Sequence, residues 1–265
     1  TLWSAFAFAF AFISPIVAIY GIFGLAYSTA GPGFWWNFLL VFGGQILVAM
    51  IFAELVSKWP VEGSIYQWTR RLSGKGAGWF AGWFYMWTLV VAMATVAMGA
   101  AAFVANVLGL TITPGMQAVI AFIILVLGTL ANLQGRGILK VLMTGSIIAE
   151  IIGSVGLGIW LFLFHTEQPL SSINQGLDTV LGSGFTNNAF LIAMAFVGWA
   201  FVGFESAGSI AEEVKDPQRT LPKVVLFSLT FVASVVAFAA LAVILAIPDP
   251  AKVLSGEETD PVFST

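Results

Sequence analysis

The chain has no cysteine and one histidine, His165, and only 9% of its 265 residues are charged. The first absence excludes disulfides, thiolate metal centres and thioether-linked haem, and the second leaves no imidazole cluster for a metal or a proton relay. No metal site, no cofactor and no nucleic-acid partner are expected. A stretch of the G-x-x-x-x-G-K-[ST] kind is also missing, so no ATP-driven step is expected within these residues. The scarcity of charge is matched by an excess of apolar residues, 59% of the chain, with a mean hydropathy of +0.98. That composition belongs to a membrane protein.

Crossing ~30 Å of hydrocarbon takes about 20 mostly apolar residues as a helix. Seven such runs occur, at 2–27, 34–57, 79–108, 114–131, 138–164, 189–211 and 221–247. The stretch AFAFAFAF at 5–12 alternates with strand period, but both residue types are apolar, and most runs are apolar on every face, which excludes an outer-membrane barrel. The expected fold class is therefore all-α and multi-pass. The first run lacks a small-residue cleavage site and reads as a span, and an opening on Thr1 reads as a fragment. His165, after WLFLF, reads as an interfacial residue.

Short loops rich in Lys and Arg stay cytoplasmic. Lys58, Arg70, Arg71 and Lys75 follow the second span, Arg136 and Lys140 the fourth, and Lys215, Arg219 and Lys223 the sixth; only Lys252 falls in the other set. The expected orientation has a cytoplasmic N-terminus and an external segment at 166–188 with Glu167 and Asp178.

Within the apolar runs, the residues that weaken a helix carry the information. In ISPIVAIYGIFG, Pro15 removes a backbone donor and clashes with the preceding turn, so a break is expected near Ser14. The sixth span carries Gly198, Gly203 and Gly208 around a carboxylate, Glu205, and should break as well. Either span alone is equally compatible with a simple proline kink or with close helix packing at glycine, as Gly78 and Gly82 would give. Two interrupted spans five elements apart point instead to a transporter site, with spans one and six opening two five-helix repeats. The domain reading is then a first repeat at 1–164, an external loop at 165–188, the first two helices of a second repeat at 189–247, and an external loop at 248–265.

Three carboxylates lie in or at the ends of spans. Glu54 stands four residues before Lys58 and reads as one half of a surface ion pair. Glu150, in GSIIAEIIGSVG, has no charge nearby in sequence and should face the bundle interior, holding a proton or meeting a cation. Glu205 sits in the expected break, where an unpartnered ionised carboxylate costs roughly 3 kcal/mol at the bilayer centre, and its protonation could be coupled to opening. Glu212, Glu213 and Asp216, with Lys215, Arg219 and Lys223, read as a solvated loop that Pro217 ends and Pro222 follows with a new helix.

The stretch FVGFESAGSIAEEVKDPQRTLPK resembles the sixth-helix signature of the amino acid–polyamine–organocation permeases, and AELVSKWPVEGSIYQWTRRLSG resembles their second helix and following loop. The form of ISPIVAIYGIFG and SKWPVEGSIYQW is most similar to the amino acid/choline transporter branch. The resemblance covers essentially the whole chain and implies an inverted five-helix-repeat transporter fold, truncated after the seventh transmembrane helix, with discontinuous helices one and six. It implies substrate binding between Ile13, Ser14, Pro15, Ile16, Val17 and Ala18 of the first helix and Trp199, Ala200, Phe201, Val202 and Gly203 of the sixth. Backbone amides of the first would meet a carboxylate and carbonyls of the second an ammonium, with Trp199 and Phe201 over the solute. Many relatives carry G-S-G where this chain has Ile16, Val17 and Ala18, and a lysine where it has Glu150. Glu205 and Glu150 are the coupling or gating candidates.

The expected function is secondary active transport of an amino acid or related amine across the cell membrane by alternating access, coupled to protons or sodium, with no enzymatic chemistry. A choline or polyamine carrier and a non-transporting membrane sensor of the same fold are the alternatives. A channel would need a polar path that these spans lack. The GSG at 182–184 has no base near it in sequence, which argues against a serine hydrolase.

Overall fold

The computed structural model describes residues 2–111, 113–134, 136–177, 188–258 and 261–264. Asp178 and the GSG at 182–184 therefore lie outside the described residues, as does most of the second half of the expected external loop. Every regular element among the described residues is helical, and seven helical segments are long and apolar enough to cross a membrane. Their bounds follow the apolar runs closely at most ends.

The first span is two helices, α1 (Leu2–Ile13) and α2 (Pro15–Ala30). A 3-10 turn at Pro32–Trp35 leads into α3 (Trp36–Lys58). Next come α4 (Ser64–Val107), α5 (Pro114–Leu133) and α6 (Arg136–Ile151), a π turn at Ile152–Gly156, and α7 (Leu157–Phe164). The sixth span is α8 (Ala189–Trp199) followed by a 3-10 helix at Phe204–Glu213, and the seventh is α9 (Pro217–Ala246). Two short helices, α10 (Pro250–Ser255) and α11 (Pro261–Ser264), complete the described residues.

The chain forms two compact units, one of Thr1–Glu62 with Ser146–Thr265 and one of Gly63–Gly145. They follow contact density, whereas the repeat boundary read at residue 164 concerns internal symmetry. In the first unit, α9 is the central post. Leu221, Val224, Leu229, Val232, Val236 and Ile244 are buried along it, and it packs against α3, α1 and α7. In hydrocarbon, such packing rests on close fit rather than on water exclusion. Gly158 of α7 shows the fit: a Cβ there would lie 2.8 Å from Cε1 of Phe238.

The alternating stretch at 5–12 is helical, and helix period sorts its residues. Ala5 and Ala9 are buried one turn apart, while Phe6 and Phe10 meet Phe227 and Phe231 of α9, with ring centroids 4.9 Å apart for Phe6–Phe227 and 5.6 Å for Phe10–Phe231. Such ring pairs each add about 0.5–1.5 kcal/mol beyond their area.

The loop between spans six and seven departs from the expectation at one point. Asp216 takes a left-handed conformation (φ 48°, ψ 59°), Pro217 begins α9, and Pro222 lies inside that helix instead of starting it. The physical reason is that a proline is best placed at the first helical position, where its missing N–H costs nothing, and Pro217 takes that position first. Glu54 and Lys58 form the expected exposed pair, 2.6 Å apart. His165 caps the end of α7, its N–H donating to the carbonyl of Leu161, with its side chain exposed.

In the second unit, α4 bends sharply at Gly74 (φ 90°, ψ 176°). The limb before the bend folds against the helix after it. A Cβ on Gly78 would lie 2.6 Å from Cβ of Arg70, and one on Gly82 3.0 Å from Cδ2 of Tyr66. The two glycines singled out for close packing thus meet a partner from their own helix. Helix α5 runs antiparallel to α4, held by Ala97, Ala101 and Ala121 and by Gln117 Nε2 donating to the carbonyl of Met98.

Candidate functional site at the paired helix breaks

The first break is confined to one residue. Ser14 has φ 53° and ψ 95°, a region costly for any residue with a Cβ, by roughly 1–3 kcal/mol. Its N–H still donates to the carbonyl of Phe10, closing α1, while Pro15 starts α2 and has no N–H to lose. Ile16, Val17 and Ala18, expected in an unwound stretch, lie in the first turn of α2. The rules of helix ends leave the amides of Ile16 and Val17 without intrahelical acceptors, so the start of α2 keeps donors and a positive dipole end for an anionic group.

The second break is a turn at 200–203. The N–H groups of Ala200, Phe201 and Val202 each bond three residues back, to Val197, Gly198 and Trp199, which tightens the end of α8 before the chain reverses its hand at Gly203 (φ 114°, ψ −5°). That φ is open to glycine and strained for other residues. The Gly203 N–H donates to Glu205 Oε2 at 3.1 Å, so the buried carboxylate closes the turn from two residues downstream. Ala200 and Phe201 are buried, Phe201 against Phe38 and Phe42 of α3, whereas Trp199 is half-buried and Val202 is 40% exposed.

The two breaks meet. A Cβ on Gly203 would lie 2.7 Å from Cδ1 of Phe12, two residues before Ser14. The elements pair across the breaks in the same sense, α2 with α8 and α1 with the 3-10 helix at Phe204–Glu213. The start of α8 is fixed by two side chains: Asn188 Oδ1 accepts from the Phe190 N–H, and Asn37 Nδ2 donates to the Phe190 carbonyl.

Glu150 joins the first break from the fifth span. It is buried, and its Oε1 accepts from Ser14 Oγ at 2.7 Å and from Ser146 Oγ at 3.5 Å. Ser154 Oγ donates to the Glu150 carbonyl, and Glu150 Oε2 is buried with no hydrogen-bond partner among the described residues. Immediately after Glu150 the helix widens into the π turn, whose Gly153 lets Ile16 approach: a Cβ there would lie 3.0 Å from Ile16 Cδ1. A carboxylate so placed can carry a proton or face a cation, and either change acts directly on the Ser14 hydroxyl.

Ser14 and Glu150 were separate candidates in the sequence, and the fold bonds them to each other. Sequence reasoning missed Ser146 and Ser154, although their spacing of four residues either side of Glu150 places all three on one helix face. It also missed Phe12, the partner of Gly203, and Ser206, whose buried Oγ has no partner among the described residues.

Comparison with known proteins bears on this geometry. The model of a family described as amino acid permease matches residues 1–263. The chain is 28% identical to a branched-chain amino acid permease of Lactococcus lactis, over 88% of this chain and 52% of the relative. It is 27% identical to a cationic amino acid transporter of Arabidopsis thaliana, over 75% of this chain and 34% of the relative. It is 24% identical to the aromatic amino acid transport protein of Escherichia coli, over 74% of this chain and 43% of the relative. The chain thus spans about half the length, or less, of these curated relatives.

Proposed function

The chain belongs to the amino acid permease family, and we propose from that premise that the whole protein is a secondary transporter of an amino acid or related amine, working by alternating access at the paired breaks. The observation that carries the reading is the contact of the two breaks, Gly203 against Phe12 beside Ser14. A solute between them would meet the amides at the start of α2 with its negative group and the last carbonyls of α8, at Trp199 and Ala200, with its positive one. Pairing of α2 with α8 and of α1 with the 3-10 helix supports hinging at the breaks, because each half-span keeps its partner as the other half swings.

Coupling to a proton or sodium gradient is assigned to Glu150, with Glu205 closing the second break. Glu150 bonds the strained residue of the first span, so loss or gain of charge there changes the balance between helix arrangements. The distribution of basic residues supports a cytoplasmic N-terminus in the cell membrane.

The test is uptake by the full-length protein in proteoliposomes, comparing labelled branched-chain, aromatic and cationic amino acids, 4-aminobutyrate and choline under imposed proton or sodium gradients. Gradient-driven accumulation of an amino acid supports the reading. Choline uptake alone would assign the protein to the choline branch, and no uptake of any solute would favour a sensor.

A further inference from the structure

Helix α2 ends as abruptly as it begins. Gly31 takes φ 67° and ψ −172°, a region that glycine alone enters at little cost. Its N–H closes α2 by donating to the Tyr27 carbonyl, and its own carbonyl opens the next 3-10 turn by accepting from the Phe34 N–H. Pro32 has no N–H to add a bond across the joint. The helix is thus bounded by a residue of positive φ at each end, Ser14 and Gly31. Its 16 residues make a lever of about 24 Å, so a swing of roughly 10° at Ser14 carries the far end about 4 Å.

That far end carries a splint. Gln175 and Gly176, from the segment between spans five and six, straddle Gly31. On the α2 side, a Cβ on Gly176 would lie 3.1 Å from the Ala30 carbonyl oxygen; on the α3 side, a Cβ on Gly33 would lie 2.5 Å from the Gln175 carbonyl oxygen. Both neighbours are backbone, which cannot turn aside as a side chain does, so the fit depends on glycine. Trp36 Nε1 adds an exposed hydrogen bond to Asn174 Oδ1 at 3.2 Å, and Ser172 and Ile173 of the same segment are buried. The start of the segment is sewn to the end of α9. The N–H groups of Glu167 and Gln168 both donate to the Leu245 carbonyl at 2.8 Å, and Gln168 Nε2 donates to the Ile247 carbonyl at 3.1 Å.

We propose that Gly31 is the second hinge of the first span and that the turn at 174–176 is the splint that locks it. With the splint on, the end of α2 is tied through this segment to α9, and a movement of about 4 Å would tear backbone contacts of this closeness. With the splint off, α2 rotates between its two residues of positive φ and draws away from α8, its partner beside the turn at 200–203. This gating role rests on the transport reading above.

The experiment uses the full-length protein in proteoliposomes, free of other cysteines, with spin labels at Ser28 and Leu170, both exposed. Pulsed spin resonance reads their separation, and one narrow distribution is expected. Gly33→Ala, whose methyl presses on the Gln175 carbonyl, should add a population at longer separation. In a second protein with its one cysteine at Val202, the same change should speed reaction with an impermeant thiol reagent several-fold in the absence of substrate. Asn174→Ala removes only the acceptor of the Trp36 indole; it should give a smaller change in the same direction and serves where Gly33→Ala does not fold. An unchanged separation in the folded variants overturns the proposal, and so does a longer separation with no change at Val202. Neither readout needs a solute to move, so absence of uptake would count against the transport reading alone.

Discussion

Glu150→Gln keeps the shape of the side chain and a carbonyl oxygen for Ser14 Oγ while removing the charge. Uptake by this variant is expected to lose its dependence on the imposed ion gradient, with thermal stability in detergent nearly unchanged; gradient-dependent uptake equal to that of the parent would remove Glu150 from coupling. Ser14→Ala deletes the donor and should lower stability by about 1–3 kcal/mol, read as a drop in melting temperature, because it leaves a buried carboxylate with one long hydrogen bond from Ser146. At Gly203, alanine introduces both a φ of 114° that a Cβ resists and a clash at 2.7 Å with Phe12. We expect G203A to abolish uptake, and F12A/G203A to recover stability only in part, since the smaller neighbour relieves the clash and leaves the backbone strain. Full recovery in the double variant would show that packing alone was at stake.

At the scale of the element, the positions of both breaks were legible because Pro15 restricts the backbone locally and Gly203 frees it, whatever surrounds them. The width of the first break was not, since whether Ile16 to Ala18 re-enter a helix at once depends on what α2 packs against. Nor was the π turn at Ile152–Gly156, where nothing in GSVG alone demands an extra residue per turn. The approach of Gly153 to Ile16 gives it a purpose that only the neighbouring span reveals. The Ser14–Glu150 bond joins residues 136 positions apart, beyond any local pattern. Glu205 accepts from the Gly203 N–H two residues away, so Glu205→Gln tests charge against geometry. Glutamine retains an oxygen for the Gly203 N–H, and the variant is expected to stay folded while transport is lost or uncoupled; uptake unchanged across pH would confine Glu205 to closing the turn.

For the whole molecule, the absence of cysteine from these 265 residues helps set up a direct assay of alternating access. A single cysteine at Val202, exposed in the second break, or at Ile16, half-buried beside the first, introduces the only thiol in this chain. Labelling by an impermeant reagent from one side of the membrane is expected to rise or fall when substrate is added, in opposite senses from the two sides; rates indifferent to substrate would argue against a site that opens alternately. The second half of the sixth span bears on how far such a movement can reach. Its residues from Phe204 to Glu213 run as two 3-10 stretches that meet at a kink at Ile210 (φ −103°, ψ 16°), and a 3-10 helix advances ~2.0 Å per residue where an α-helix advances ~1.5 Å. Held in that stretched form, the part before the kink, Phe204 to Ser209, is about 12 Å long, against about 9 Å when wound as an α-helix. Rewinding that stretch would therefore supply about 3 Å of travel, drawing Ile210 and the loop beyond it toward Gly203 without breaking a covalent link or moving α8.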